Sequence, residues 1–487
     1  MSRFASRESR LPLILLAAAL LLAATLAAAG GARTRDGTGR TIAFVGVSVV
    51  PMDRERVLAN QTVVVEGDRI LSVGPADAVP IPEGARRIAG QGRWLMPGLA
   101  EMHGHVPGPD DPAYLDDVLF LYVANGVTTV RNMAGNKSHL ALRDRIAAGR
   151  ALGPTLYTAS PWLSPEVAGT PEKAREAARG YNAAGYDLIK IGSVPRDAYA
   201  AMAAAAQKAG IPFGGHIPQE VGLTGALDAR QKSIDHFDRY VEFLAPEGAG
   251  ASGREPGFFG SGWIHLADER RIPDAVRRTV AAGTWNVPTL SLVEHLASPE
   301  TPQAMLARPE MRYMPGRVLD GWAEAKREFA ARPDFQPDAA RRLVELRRRL
   351  LRDLHAAGAP IALGSDAPQF FNVPGFSIHH EMRMMRAAGL TPYQVLETGT
   401  REAARYFGAD AGFGVIAPGR RADLILLTAD PLQDLANVQR RAGVMARGRW
   451  LSENEIRARL EKIAANAASR GGALNSPAAP MLDNKRR

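Results

Sequence analysis

The sequence predicts an α/β protein: a TIM-type (β/α)8 barrel carrying a composite β-sandwich domain formed from both chain ends. Three observations predict it. Between residues 95 and 366, short apolar runs recur eight times, each followed by a helical stretch or a long loop, which is the pattern of parallel βα units. Residues 41–70 alternate apolar and polar side chains around turns at Pro51-Met-Asp53 and Glu66-Gly-Asp68, the period of antiparallel strands. A further turn-then-strand pattern follows at residues 414–427 and 444–450, and pairs with the first. The expected division is a signal peptide over 1–32, the sandwich over 41–94 and 412–452, the barrel over 95–411, and a disordered tail over 466–487.

The chain starts with three arginines, Arg3, Arg7 and Arg10, then an almost wholly apolar run at 11–29 closed by small residues. That is a secretory leader, so a periplasmic or secreted protein is expected. The run is long enough to span a bilayer if uncleaved, the one membrane role the sequence leaves open. With 487 residues the chain can bury a large core, and 46% apolar with 23% charged residues fits a globular protein. No cysteine is present, which removes disulfides, thiol nucleophiles, cysteine-ligated zinc and a lipidated cysteine. The net charge of +9 is spread along the chain. The basic residues of 342–352 sit at helical spacing and read as a solvated helix face, so nucleic acid is not an expected partner. The expected partner is a small-molecule substrate, and self-association into a homo-oligomer is left open.

The barrel strands are read in order. Residues 95–102 form an apolar run ending in Met102-His-Gly-His105. Strand 127–130 follows a helix over 115–125, and 155–158 comes next. Residues 187–191 follow a helix over 171–184, and 212–216 one over 195–209. Residues 233–236 come after a helix over 222–230. Residues 286–290 and 360–366 complete the set. Residues 242–274 are glycine-rich and loop-like, and 298–337 is a long excursion; insertions of that kind form lids or substrate walls.

Residues two apart on a strand share a face, so His103 and His105 leave one strand end together, with Gly104 leaving room between them. Imidazole is a common metal ligand, but one His-x-His among ten histidines is weak evidence. Four more candidates stand at later strand ends: Lys190, His216, His236 and Asp366. Singly, each has a structural alternative: a buried lysine, two core histidines, a helix N-cap. Lys190 is notable because 8 of the 60 basic residues are lysine, and lysine, unlike arginine, can lose its proton when buried. A neutral amine can take up carbon dioxide and become an anionic carbamate.

Together, Pro97-Gly-Leu-Ala-Glu-Met-His-Gly-His105, Asp187-Leu-Ile-Lys190, Gly215-His216, Ser233-Ile-Asp-His236 and Leu363-Gly-Ser-Asp366 resemble the amidohydrolase superfamily of metal-dependent hydrolases. Gly389-Leu-Thr-Pro392 and Gly414-Val-Ile-Ala-Pro-Gly-Arg-Arg-Ala-Asp-Leu424 resemble it too. The likeness runs from about residue 43 to 450 and is nearest to the imidazolonepropionase-related, prolidase-like branch. It implies two divalent metal ions, zinc being expected. His103 and His105 would hold one and His216 and His236 the other. Carboxylated Lys190 would bridge them, and Asp366 would bind the first and act as acid and base. The implied reaction is hydrolysis of a carbon–nitrogen bond in an amide, cyclic amide or dipeptide. The alternatives are a lactonase or phosphotriesterase of the same fold, or a catalytically silent metal-binding barrel. A deaminase fits less well, because the usual mononuclear deaminase sites lack the lysine. His139, Tyr240 and His379 are candidate substrate contacts.

Overall fold

The computed structural model describes residues 41–249, 255–408 and 412–469. The expected leader at 1–32 lies outside the described residues. Among those described, no helix is long and apolar enough to cross a membrane.

Strands β1 (Thr41–Val49), β2 (Leu58–Glu66) and β3 (Arg69–Pro75) form an antiparallel meander. Strand β4 (Arg86–Ala89) then β5 (Trp94–Pro97) run parallel to β1 along its other edge. Strands β13 (Leu424–Leu427), β14 (Arg441–Ala446) and β15 (Arg449–Ser452) complete the sheet, with β13 antiparallel to β5. Both chain ends therefore share one eight-stranded sheet. The alternating apolar positions make its core: Phe44, Val47, Val49, Val63, Val65, Leu95, Leu424 and Leu426 are all buried, and Trp450 sets its ring edge-on to Phe44 at 5.3 Å.

The apolar run expected as one strand over 95–102 is two strands. It breaks at Gly98, where β5 leaves for the end sheet and β6 (Leu99–Gly104) begins. A Cβ on Gly98 would lie 2.2 Å from Thr128 Oγ1, so only glycine lets the chain pass at the junction. The Gly98 amide bonds Asp423 O at 2.8 Å, while the Leu99 amide bonds Gly126 O at 2.9 Å.

β6, β7 (Val127–Asn132) and β8 (Thr155–Thr158) form a parallel sheet. A second parallel sheet runs β9 (Ile189–Ile191), β10 (Phe213–Gly215), β11 (Ser233–Asp235) and β12 (Trp285–Val287). Isolated parallel bridges continue the order: Ala159 to Leu188, Asn286 to Ile361, and Gly104 to Ala367. The run expected as a strand over 360–366 is extended but not a regular strand. Its backbone switches partner within a few residues: Ala362 N bonds Asn286 O at 2.9 Å, while Met102 N bonds Leu363 O at 2.8 Å. A Cβ on Gly364 would stand 2.7 Å from His103 N, so the segment lies tight against β6.

Helices expected between strands are present at Pro171–Ala184 and Arg196–Ala209, and a helix not expected from sequence spans Ile272–Ala282. Each ends on a left-handed glycine, at Gly185, Gly210 and Gly283. The 298–337 excursion is helical in large part, with Pro302–Leu306 and Gly316–Ala330. Its Phe329 and Phe335 pack on Phe258 of the turn Phe258–Leu266, so the two insertions support one another. The first four residues of the expected disordered tail, 466–469, are helical instead: helix Glu453–Ser469 carries Ile456, Leu460, Ile463 and Ala467 as a buried stripe. Residues 470–487 lie outside the described residues.

Candidate metal centre

The six residues singled out at strand ends lie together on one side of the parallel ladders. His103 ends β6, and His105 follows it, with ring centroids 5.3 Å apart. A Cβ on Gly104 would press on Glu101 Cγ and Tyr122 OH, each at 2.8 Å, so the glycine is a packing requirement. His236 comes next, its ring 4.5 Å from that of His103, and His216 stacks on it at 4.9 Å. His236 and Asp366 both have left-handed backbone, φ 62° and 65°, a conformation uncommon among non-glycine residues, with Asp and His the more frequent exceptions.

Asp366 Oδ1 lies 2.6 Å from His105 Nε2 and 3.5 Å from His103 Nε2, and accepts a hydrogen bond from Gln369 Nε2 at 2.7 Å. Ligand atoms of His103, His105 and Asp366 lie within 4.8 Å of one another, a spacing that could hold a metal ion. Asp366 Oδ2 is buried and has no hydrogen-bond partner, and the same holds for His236 Nε2. Buried polar atoms are almost always partnered, so these two atoms are free to serve a bound group.

Each outer imidazole is oriented by a second residue. His216 Nδ1 is 2.7 Å from Asp238 Oδ2, and His236 Nδ1 is 2.8 Å from Thr289 Oγ1, which leaves both Nε2 atoms for the centre. His103 Nδ1 lies 2.7 Å from Asp235 Oδ2. That contact is off the line a hydrogen bond needs, and Nδ1 is a buried atom without a hydrogen-bond partner. Burial, reinforced by neighbouring cationic groups, holds His103 and His236 well below the usual imidazole range. They stay neutral, the form that binds metals.

Lys190 is fully buried in β9, with Nζ 3.5 Å from His103 Nε2 and 5.5 Å from the centre of the Trp162 ring. Among the described residues its amine forms no ion pair with a carboxylate. Burial pushes the amine below its ordinary range, against the pull of Asp235 and Asp366. Gly215, whose φ is 108°, lets the side chain lie close: a Cβ there would stand 2.8 Å from Lys190 Cδ and 3.2 Å from Nζ.

Three residues not singled out from sequence complete the frame. Arg131 Nη2 donates to both oxygens of Asp235 at 3.0 and 2.9 Å, and its Nη1 to Ser233 and Tyr406. Burial alone would raise the Asp235 carboxyl, yet Arg131 and Lys190 hold it below its usual value. Glu101, pushed up to about 8 by burial, accepts from the amides of His103 and Ser365, which clasps the two segments that carry His103 and Asp366. A charged residue inside an apolar strand was the available signal for Arg131 and Glu101. Arg131→Leu would leave Asp235 buried and unpaired, and is expected to cost about 3–5 kcal/mol. The check is a lower urea midpoint at an unchanged slope.

The three expected substrate contacts are not in this cluster. His139 Nδ1 bonds the Asn132 amide group and the Asn136 backbone, and its Nε2 the Pro107 carbonyl, so it caps helix Lys137–Ala147. Tyr240 OH is paired with Thr279 Oγ1 at 2.8 Å. His379 is buried, its pKa lowered to about 3 by burial and by Arg441 of β14; that setting is near the start of β7, not its end.

A model of the amidohydrolase family matches residues 94–451. The 5-methylthioadenosine/S-adenosylhomocysteine deaminase of Symbiobacterium thermophilum is 24% identical over 429 residues, 80% of this chain and 85% of that protein. Among solved structures, a putative prolidase from Bifidobacterium longum superposes with a TM-score of 0.65 at 24% identity, covering 88% of this chain and 99% of that one. Bottromycin amidohydrolase does so at 0.65 and 23%, covering 88% and 91%. With the family match spanning most of the chain, the protein belongs to the amidohydrolase family and is a hydrolase of carbon–nitrogen bonds.

Proposed function

We propose that this chain is a binuclear metal-dependent amidohydrolase that cleaves the amide bond of a dipeptide or an N-acyl compound. The parallel ladders and the bridges joining them are read as the eight-stranded barrel of the family, with the centre at the C-terminal strand ends. His103, His105 and Asp366 would hold one divalent cation, expected to be zinc. His216 and His236 would hold the second, and Lys190 as a carbamate would join the two. The observation that carries this reading is Lys190 itself: a buried amine without a carboxylate ion-pair partner among the described residues, 3.5 Å from His103 and packed against Gly215.

A bound cation in such a site polarises a carbonyl and lowers the pKa of water. The chain's own residues do the rest. Gln369 holds Asp366 Oδ1, leaving Oδ2 free to take the proton that the attacking water gives up. The same oxygen then passes it to the leaving nitrogen, so one carboxylate serves as base and acid in turn. Asp238 and Thr289 keep the outer imidazoles aimed inward.

The Symbiobacterium relative offers a second reading, hydrolytic deamination. A panel separates the two. Metal-loaded protein is incubated with dipeptides, N-acyl amino acids, lactones, phosphotriesters and 5-methylthioadenosine. Hydrolysis of dipeptides or N-acyl compounds, abolished by chelator, is expected. Ammonia release from the nucleoside with no amide turnover would replace this reading with the second, and turnover of esters alone would make the protein a lactonase or phosphotriesterase.

A further inference from the structure

Four aromatic rings run in a row across the centre: Trp162, His216, His236 and Phe259. Successive centroids are 5.0, 4.9 and 5.1 Å apart. The two ends of the row differ. Phe259 is partly buried and packs on Phe258 at 4.0 Å. Trp162 is 41% exposed, and it is the single aromatic among the large apolar side chains left exposed in the described residues. Solvent reaches the centre beside Trp162: the side chain of its neighbour His216 is 18% exposed, against 1% for His103 and His236.

Trp162 is also held in place. The amide of Leu163 bonds Lys190 O at 3.1 Å, and Leu163 bridges in parallel to Ile191. A Cβ on Gly192 would fall 1.7 Å from Trp162 Nε1, so β9 continues into a glycine that makes the slot for the indole edge. One face of the ring covers Lys190 Nζ at 5.5 Å. An indole fixed beside the proposed metal centre keeps apolar surface open to water. Flat π systems stack on such a face better than saturated groups of equal size.

We infer that Trp162 is a specificity-determining residue whose exposed surface stacks on a planar aryl or heteroaryl substituent of the amide substrate. This rests on the proposed binuclear amidohydrolase reading, and it narrows the substrate class from any amide to those carrying an aromatic group next to the scissile bond.

The test uses the metal-loaded full chain and two probes of equal carbon count, phenylphosphonate and cyclohexylphosphonate, whose affinities are measured by calorimetry. Wild type should bind the phenyl probe roughly three- to tenfold more tightly. Trp162→Leu, which keeps apolar bulk but no π face, should bring the ratio to about one, and Trp162→Phe should restore part of it. Equal affinities in wild type, binding of neither probe, or an unaltered ratio in Trp162→Leu would overturn the inference. Amide hydrolysis is followed on the same preparations. An intact phenyl preference with no amide turnover would count against the proposed reaction alone, and amide turnover with no phenyl preference against the role of Trp162 alone.

Discussion

Asp366→Asn is expected to keep its metal and to lose about 10²–10⁴-fold in turnover. Both expectations follow from the two oxygens of Asp366. Oδ1 faces His105 and His103 and is held by Gln369. An asparagine carbonyl can replace that oxygen as a neutral donor. Oδ2 is buried and unpartnered, and it is the oxygen available for the proton in transit. An asparagine amide cannot accept a proton at neutral pH, so the water loses its base and the leaving nitrogen its acid. Metal content by elemental analysis and kcat on the same sample check the two halves separately. Turnover within a few-fold of wild type at equal metal content would remove Asp366 from the role of base.

Lys190→Arg is expected to lose about 10³-fold in kcat/KM, the size of several kcal/mol of lost electrostatic stabilisation. The substitution preserves positive charge and much of the length, yet guanidinium remains protonated and cannot be carboxylated. It would also place a cation in a pocket that already holds Arg131 and four imidazoles, with no carboxylate paired to position 190. Lys190→Ala should fail to a similar degree while leaving His103, His216 and His236 in place. A near-normal rate in Lys190→Arg would make Lys190 a buried structural lysine.

The parts of this account legible in the sequence are those that local chemistry decides. Helices Pro171–Ala184 and Arg196–Ala209 are marked by apolar spacing and by the glycines that end them. The six strand-end residues were legible because parallel strands between helices deliver their C-terminal ends to one side. The break at Gly98 was not: an unbroken apolar run gives no sign that Thr128, thirty residues on, will press against it. Nor did glycine content or length reveal that the two insertions are largely helical and brace each other through Phe258, Phe329 and Phe335. Partners of the imidazoles were hidden for the same reason. Thr289 meets His236 and Asp235 meets Arg131 across long sequence separations, and only the packed strands bring them together. The polar atoms of His139 and Tyr240 are engaged locally, one as a helix cap and one on Thr279, partners that the sequence does not display.

The central claim is that two cations share one site through Lys190. The most direct test is the metal-to-protein ratio of purified chain grown with added zinc and bicarbonate, compared with Lys190→Arg prepared in the same way. Without the lysine, His216 and His236 are two neutral donors where a tetrahedral site takes about four, so the second cation should not be retained. The account predicts about two metal ions per chain in wild type and one or fewer in the variant. A wild type that holds one, or a variant that still holds two, would contradict it, and the centre would then be rebuilt around His103, His105 and Asp366 alone.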